Sequence, residues 1–65
     1  MMNLVFRTID VFQFEQAKLI LTSENISFQI RNTVASMYNN FGTYEIYVSS
    51  RDENRAKELL ENVFK

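Results

Sequence analysis

The chain has neither cysteine nor histidine among its 65 residues, and this constrains what it can fold into. A domain of this length buries only about 60% of the surface that its unfolded chain exposes, so it is marginally stable alone. Disulfides and zinc sites, which reinforce many small domains, require the missing residues. One hydrophobic core must therefore hold a single domain over residues 1–65. The composition suits this, since 46% of the residues are hydrophobic, including six phenylalanines.

The lack of histidine also limits the reactions that the chain could catalyse, because histidine is the side chain best suited to proton transfer near neutral pH. The serines have no histidine base, which excludes a Ser-His-Asp triad. Gly42 is the single glycine, so there is no glycine-rich phosphate loop. Asp10 follows the first predicted strand as a lone carboxylate, which does not make a two-metal site. We expect a non-catalytic protein with no cofactor and no metal.

Charge and hydropathy predict a cytoplasmic protein that binds neither nucleic acid nor a membrane. The net charge is −1, so there is no basic excess to attract phosphate backbones. No apolar run approaches the roughly 20 residues of a membrane span. The N-terminal residues turn polar too early for a signal peptide. The lack of cysteine fits a reducing compartment.

Hydrophobic periodicity predicts the element order strand, helix, strand, loop, strand, helix. The strands fall at residues 3–9, 27–32 and 43–49, and the helices at 11–24 and 51–64. In the first strand, Leu4 and Phe6 point one way and Val5 and Arg7 the other. Each of the other strands also has one inward face, formed by Phe28, Ile30, Tyr44, Ile46 and Val48.

Both predicted helices are amphipathic and carry terminal signals. Asp10 caps the first helix by accepting from the amide three residues on, while Gln13 reaches back, and Asn25 ends the helix in the left-handed conformation. Ser50 and Glu53 form a second capping box. The core-facing stripes are Phe14, Ala17, Ile20 and Leu21 in the first helix and Ala56, Leu59, Leu60 and Val63 in the second.

These elements predict a two-layer α/β fold. Strands with one buried face place both amphipathic helices on that face. A strand–helix–strand unit is right-handed, which makes the first two strands parallel. The third strand fits between them, antiparallel to both. The prediction is a β-α-β-β-α ferredoxin-like plait with sheet order 1-3-2 that lacks the fourth strand.

The inward residues of the second and third strands restrict the register in which these strands can pair. Directly opposed residues of an antiparallel pair share a face, so their position numbers must add to an even value. A two-residue turn at Asn39 and Asn40 would give an odd value and turn one strand's apolar side outward. We therefore expect a loop over residues 33–42.

A set of positions carries a family resemblance, and most of them are core or cap positions. They are Thr8, Asp10, Leu21, Ile26, Arg31, Asn32, Val48, Asp52, Ala56, Leu59 and Leu60. This run resembles the bacterial family of putative prokaryotic signal-transducing proteins, a domain of unknown function, over nearly the whole chain. The resemblance implies a small regulatory plait and supplies no catalytic residue.

The sequence departs from that family pattern at three points. Asn25 stands where glycine is usual, which asparagine tolerates. Phe14 stands where a small residue is common, so the first helix must sit further from the sheet or repack. The cysteine-rich metal module of some relatives is absent, and any metal role linked to it is therefore not expected here.

The predicted loop is the first candidate site, because it is apolar where loops are usually polar. Met37, Tyr38 and Phe41 are its candidate partner-binding residues. They either form a lid on one end of the core or offer a surface to a partner protein or a small effector. The sequence leaves both readings open.

The outer face of the predicted sheet is the second candidate site. It exposes Val5, Arg7, Gln29, Arg31, Glu45 and Tyr47. One interpretation is an anion or nucleotide sensor in which Arg7, Arg31, Asn32 and Tyr47 bind the ligand, with Tyr47 as a stacking platform. The other is an ordinary solvated face on which Glu45 pairs with an arginine.

The open edge of the first strand is the third candidate site. Without a fourth strand this edge has unpaired backbone groups, and no proline blocks it. Pairing with a second copy would make a homodimer, unless Val63, Phe64 and Lys65 cover the edge. The sequence as a whole thus predicts a non-catalytic regulatory or interaction module, dimeric, that binds a partner protein or small effector. The alternative is the anion or nucleotide sensor.

Overall fold

The computed structural model describes residues 1–32 and 42–64. Within them lie three strands, two α-helices and one short 3₁₀ turn. Their bounds are β1 Met2–Thr8, α1 Val11–Ser23, β2 Phe28–Asn32, β3 Tyr44–Ser49, the 3₁₀ turn Ser50–Asp52 and α2 Glu53–Phe64. The sheet order is β1-β3-β2, and both pairings are antiparallel. Over the described residues this confirms the predicted β-α-β-β-α plait, in which three strands and no fourth are found.

The pairing of β2 with β3 meets the predicted condition that the numbers of opposed positions add to an even value. Phe28 lies opposite Val48 and Ile30 opposite Ile46, so each pair of position numbers adds to the same even value. Ile46 and Val48 are fully buried under the helices. Ile30, near the open side of β2, remains 50% exposed. The rest of the predicted loop before Gly42, including Met37, Tyr38 and Phe41, lies outside the described residues.

A β-bulge in β1 corrects the predicted alternation of that strand. Leu4 pairs with Tyr47, but Phe6 pairs with Ile46, so Val5 is the extra residue. Opposed residues share a face, which puts Leu4 on the outer face with Tyr47 and Phe6 on the helix side with Ile46. Val5 packs against the core cluster instead of lying on the outer face.

The start of α1 is held by a small side-chain network. The Asp10 carboxylate accepts from the Phe12 amide at 2.8 Å, two residues on instead of the predicted three. The Asp10 amide donates to the Thr8 hydroxyl at 3.1 Å. Gln13 reaches back, as predicted, but accepts from that same Thr8 hydroxyl at 2.9 Å. The Thr8 hydroxyl thus accepts from the N-cap amide, which in a capping box is the role of the side chain at N3.

The end of α1 is a Schellman turn built on Asn25. Asn25 has φ 60°, the left-handed conformation predicted for it. Its amide donates to the Thr22 carbonyl at 3.1 Å, and the Ile26 amide donates to the Leu21 carbonyl at 3.0 Å. Ile26 is then buried against the helix it follows.

The predicted capping box at the start of α2 is wrong. Ser50 already lies inside the 3₁₀ turn, and its hydroxyl donates to the Met1 carbonyl at 3.1 Å. The Glu53 carboxylate accepts from the side chains of Asn3 and Lys57 instead of from a backbone amide. Contacts with the beginning of β1 therefore replace the local cap.

The core lies between the sheet and the two helices. Its buried residues are Phe14, Ala17, Leu21, Ile26, Ile46, Val48, Ala56 and Leu60. Phe14, the large residue of α1, is accommodated by stacking on Tyr44 with ring centroids 4.5 Å apart. The Lys18 ammonium lies 4.6 Å from the centre of the Phe14 ring and closes this end of the core. Neither α1 nor α2 combines the length and the hydropathy that would let it cross a membrane.

Candidate interaction site at the edge of β1

The outer edge of β1 has no neighbouring strand within the described parts of the chain. A fourth strand following α2 would pair there in a complete ferredoxin-like plait. Along this edge lies a groove between β1 and α2 with a volume of about 390 Å³. We call it the β1–α2 groove; it is lined by Val5, Phe6, Lys57, Leu60, Glu61 and Phe64.

The floor of the β1–α2 groove is apolar and continuous with the core. Leu60 is itself a core residue, and Val5, Phe6 and Phe64 pack against the core cluster. The rings of Phe6 and Phe64 lie 4.9 Å apart between centroids. An apolar side chain entering the groove would therefore contact the same cluster that stabilises the fold.

Two opposite charges lie on the α2 side of the groove, one helical turn apart. The Lys57 ammonium forms an ion pair with Glu53 at 2.8 Å. No hydrogen bond or ion pair joins Glu61 to another side chain among residues 1–32 and 42–64. The carboxylate of Glu61 is thus available to a cation on whatever occupies the groove.

The N-terminal part of β1 is fixed to the start of α2. The Asn3 side chain donates to Glu53 at 2.7 Å, and the Ser50 amide donates to the Met1 carbonyl at 2.9 Å. Hydrogen bonds from Lys57 and Asn3 hold the pKa of Glu53 below its ordinary value, because they stabilise the ionised carboxylate. The two walls of the groove are therefore held in a defined relative position.

The edge strand carries apolar residues on both of its faces. Met2 and Leu4 lie on the outer face and are 36% and 39% exposed. Val5 and Phe6 line the groove on the helix side. Arg7 is the only charged residue of β1. Natural edge strands are commonly protected by charges or proline, and β1 has little of this protection.

The predicted C-terminal cover of the edge is present in part. Phe64 packs on Phe6, on the helix side of the strand. Val63 is 46% exposed, and Lys65 lies outside the described residues. Phe64 therefore forms a wall of the groove.

The outer face brings three of the four predicted ligand-binding residues together. Arg7 and Arg31 both lie opposite Glu45, one on each side of it. The Arg7 Nε lies 3.8 Å from a Glu45 carboxylate oxygen, and the Tyr47 hydroxyl donates to the other oxygen at 2.9 Å. Glu45 thus lies between the two arginines, in the position that a bound anion would need. Its negative charge offsets much of the attraction of the two arginines for an anion.

Asn32 does not join this cluster. It pairs with Tyr44, whose side chain faces the helices, so Asn32 lies on the helix side of the sheet. The side chains of Arg31 and Asn32 point to opposite faces, as successive residues of a strand must.

Asp10 is occupied as the cap of α1, as described above. Within the described residues no three metal-ligating side chains lie close enough together to hold an ion.

Sequence reasoning missed two apolar surfaces. The first is the β1–α2 groove, which depends on where α2 lies and has no local signal beyond the missing fourth strand. The second is on α1, where Phe12 and Leu19 are 82% and 71% exposed, with Ile9 beside them at 77%. Phe12 and Leu19 are seven residues apart, a spacing that places them on one helix face.

A comparison with known families assigns the chain to one of them. Residues 2–63 match the family described as "Putative prokaryotic signal transducing protein". The chain belongs to this family. No curated protein and no solved structure matches the chain. The family description supports a role in signal transduction and specifies no partner or effector, so the site must be argued from the structure.

Proposed function

We propose that this member of the signal-transducing family is a non-catalytic interaction module that binds a partner protein through the edge of β1. The observation that carries the proposal is the outer edge of β1, which no strand of the described residues pairs, directly beside the β1–α2 groove. The edge and the groove lie side by side, so one ligand could bind both at the same time. An extended segment has backbone groups for the edge and side chains for the groove.

The mode of binding would be strand addition. An extended chain lying along β1 gains main-chain hydrogen bonds, and alternate side chains enter pockets on one face. Here those side chains would meet Val5, Phe6 and Leu60 in the groove. The outer-facing side chains of the added strand would pack beside Met2 and Leu4. Because β1 is already fixed to α2, little ordering cost would oppose binding.

A small effector is the second occupant that the groove could take. Its volume of about 390 Å³ falls within the usual range of small-molecule pockets, roughly 300–1,000 Å³. The anion or nucleotide sensor is less favoured by the geometry, because Glu45 already lies between Arg7 and Arg31.

The test compares one substitution on each open side of the sheet. Leu4 and Gln29 both lie opposite Tyr47 on the outer face, Leu4 on β1 and Gln29 on β2. Both side chains are exposed, so Leu4→Lys and Gln29→Lys each place a charge on a sheet edge without opening the core. An edge lysine hinders strand addition.

Affinity capture from the source cell's lysate would use the wild type and both variants as bait. Thermal unfolding would confirm that all three are folded. We expect the proteins retained by the wild type to be lost with Leu4→Lys and retained with Gln29→Lys. Equal retention by the wild type and Leu4→Lys, or greater loss with Gln29→Lys, would contradict binding at the β1 edge.

A further inference from the structure

We infer that the occupant of the β1 edge is a second copy of this chain, with the two β1 strands antiparallel about a two-fold axis normal to the sheet. This inference rests on the proposed function, since it names the partner of the same site. The three described strands of each copy would then join into one continuous six-stranded sheet. All helices of the pair would lie on one face.

The groove and the edge strand share apolar residues, so two copies could each supply what the other's groove would bind. Val5 and Phe6 line the groove and belong to the edge strand itself. Because the bulge turns both of these adjacent residues toward the helix side, β1 presents two apolar side chains where a regular strand would present one. A two-fold axis near Val5 would place Val5 and Phe6 of each copy beneath α2 of the other. An isologous interface requires this reciprocity of one patch with itself.

The charges of the groove are also self-complementary. Lys57 and Glu61 lie one turn apart on the same side of α2. The two-fold axis reverses the second α2 relative to the first, so Lys57 of one copy comes opposite Glu61 of the other, and the reverse holds. The Glu61 carboxylate, which has no side-chain partner among the described residues, would then gain one. Lys57 keeps Glu53 within reach at the same time.

The outer face supports the same arrangement. Met2 and Leu4 are the half-exposed apolar residues of β1 on that face. Antiparallel pairing about an axis near Val5 would bring the Met2–Leu4 segment of one copy beside β1 of the other. Apolar surface would therefore be buried on both faces of the sheet where the two β1 strands pair. On this outer face the edge of β2 offers less apolar surface, since its residues there are Gln29 and Arg31.

The first test uses the absence of native cysteine. In Leu4→Cys the two introduced thiols would lie close to the two-fold axis, whereas in Gln29→Cys they would lie at the far edges of the joined sheet. Treatment with a short bismaleimide should convert Leu4→Cys to a covalent dimer and leave Gln29→Cys largely monomeric. Equal cross-linking of both variants, or none with Leu4→Cys, would overturn the inference.

The second test reverses the charges. Glu61→Lys alone and Lys57→Glu alone should each raise the dissociation constant of the dimer by about tenfold, since two exposed ion pairs become repulsive. An equimolar mixture should restore association, because each copy then supplies the charge that the other needs. Circular dichroism would confirm folding of each variant. No recovery in the mixture, or no loss in either variant, would contradict the two-fold pairing.

The solution mass of the wild type and Leu4→Lys, read together with the capture experiment, separates the inference from the proposed function. A wild type that stays monomeric, but whose captured proteins are still lost with Leu4→Lys, overturns the second copy as occupant and leaves the β1 edge as a site for another protein. A dimer unaffected by Leu4→Lys, together with capture unaffected by it, overturns both.

Discussion

Replacing Asp10 by alanine tests whether this carboxylate is a helix cap. In the structure it accepts the Phe12 amide at 2.8 Å, one of the four amides at the start of α1 that have no partner within the helix. Loss of such a cap costs about 1 kcal/mol. For a domain of this size that corresponds to a melting temperature lower by roughly 4–8 °C.

The matched control is Asp10→Asn, which keeps an oxygen acceptor in the same place and removes the charge. Asparagine caps helices about as well as aspartate does, so this variant should melt within about 1–2 °C of the wild type. Differential scanning calorimetry at neutral pH would measure all three proteins.

Two results would refute this reasoning. If Asp10→Ala melted with the wild type, the hydrogen bond to Phe12 would contribute nothing measurable. If Asp10→Asn lost as much stability as Asp10→Ala, the negative charge itself would be required, which a cap to a backbone amide does not explain. An additional loss of ligand binding in Asp10→Asn would point to a functional carboxylate.

Three further predictions concern other parts of the chain. Asn25 has φ 60°, so Asn25→Ala should lower the unfolding free energy by about 1–2 kcal/mol and Asn25→Gly should not, as measured by urea unfolding. Hydrogen bonds from Lys57 and Asn3 lower the pKa of Glu53 from 4.5, so its contribution to stability is present above that pH and is lost as the pH falls through the lowered value. The melting temperatures of the wild type and Glu53→Gln should therefore differ at pH 7 and converge in acid; a constant difference would contradict the assignment. Because Glu45 lies between two arginines, a nucleotide panel should not raise the melting temperature, whereas a ligand at one hundred times its dissociation constant would add about 2.7 kcal/mol.

Features encoded by neighbouring residues could be predicted from the sequence. The left-handed Asn25 was predictable because an asparagine follows the last amphipathic turn of α1. The even sum of opposed positions in β2 and β3 was predictable because Phe28, Ile30, Ile46 and Val48 must share a face. The sequence did not specify which residues pair. The sheet order was predictable because a right-handed strand–helix–strand unit makes β1 and β2 parallel and leaves the place between them to β3.

The bulge in β1 could not be predicted in the same way. Leu4, Val5 and Phe6 are three consecutive apolar residues, so the sequence shows no alternation there that would place one of them on either face. The face on which each residue lies is set by the pairing with β3, in which Leu4 lies opposite Tyr47 and Phe6 opposite Ile46.

The start of α2 and the candidate site depend on contacts between distant residues. Ser50 and Glu53 have the spacing of a capping box, but Met1 and Asn3 compete for them and are near only after β1 has paired with β3. The β1–α2 groove likewise exists only once α2 lies beside an edge strand. The sequence indicated the open edge of β1. It did not indicate the groove beside that edge, which provides the apolar surface of the candidate site.

The dimer through the β1 edge is tested most directly by solution mass across a dilution series, with light scattering after size exclusion. The chain has a mass of 7.7 kDa. We expect the wild type and Gln29→Lys to show twice that mass at high concentration and to approach it on dilution, while Leu4→Lys remains at the single-chain mass throughout. A wild type at the single-chain mass at every concentration, or a Leu4→Lys variant that dimerises as the wild type does, would contradict it.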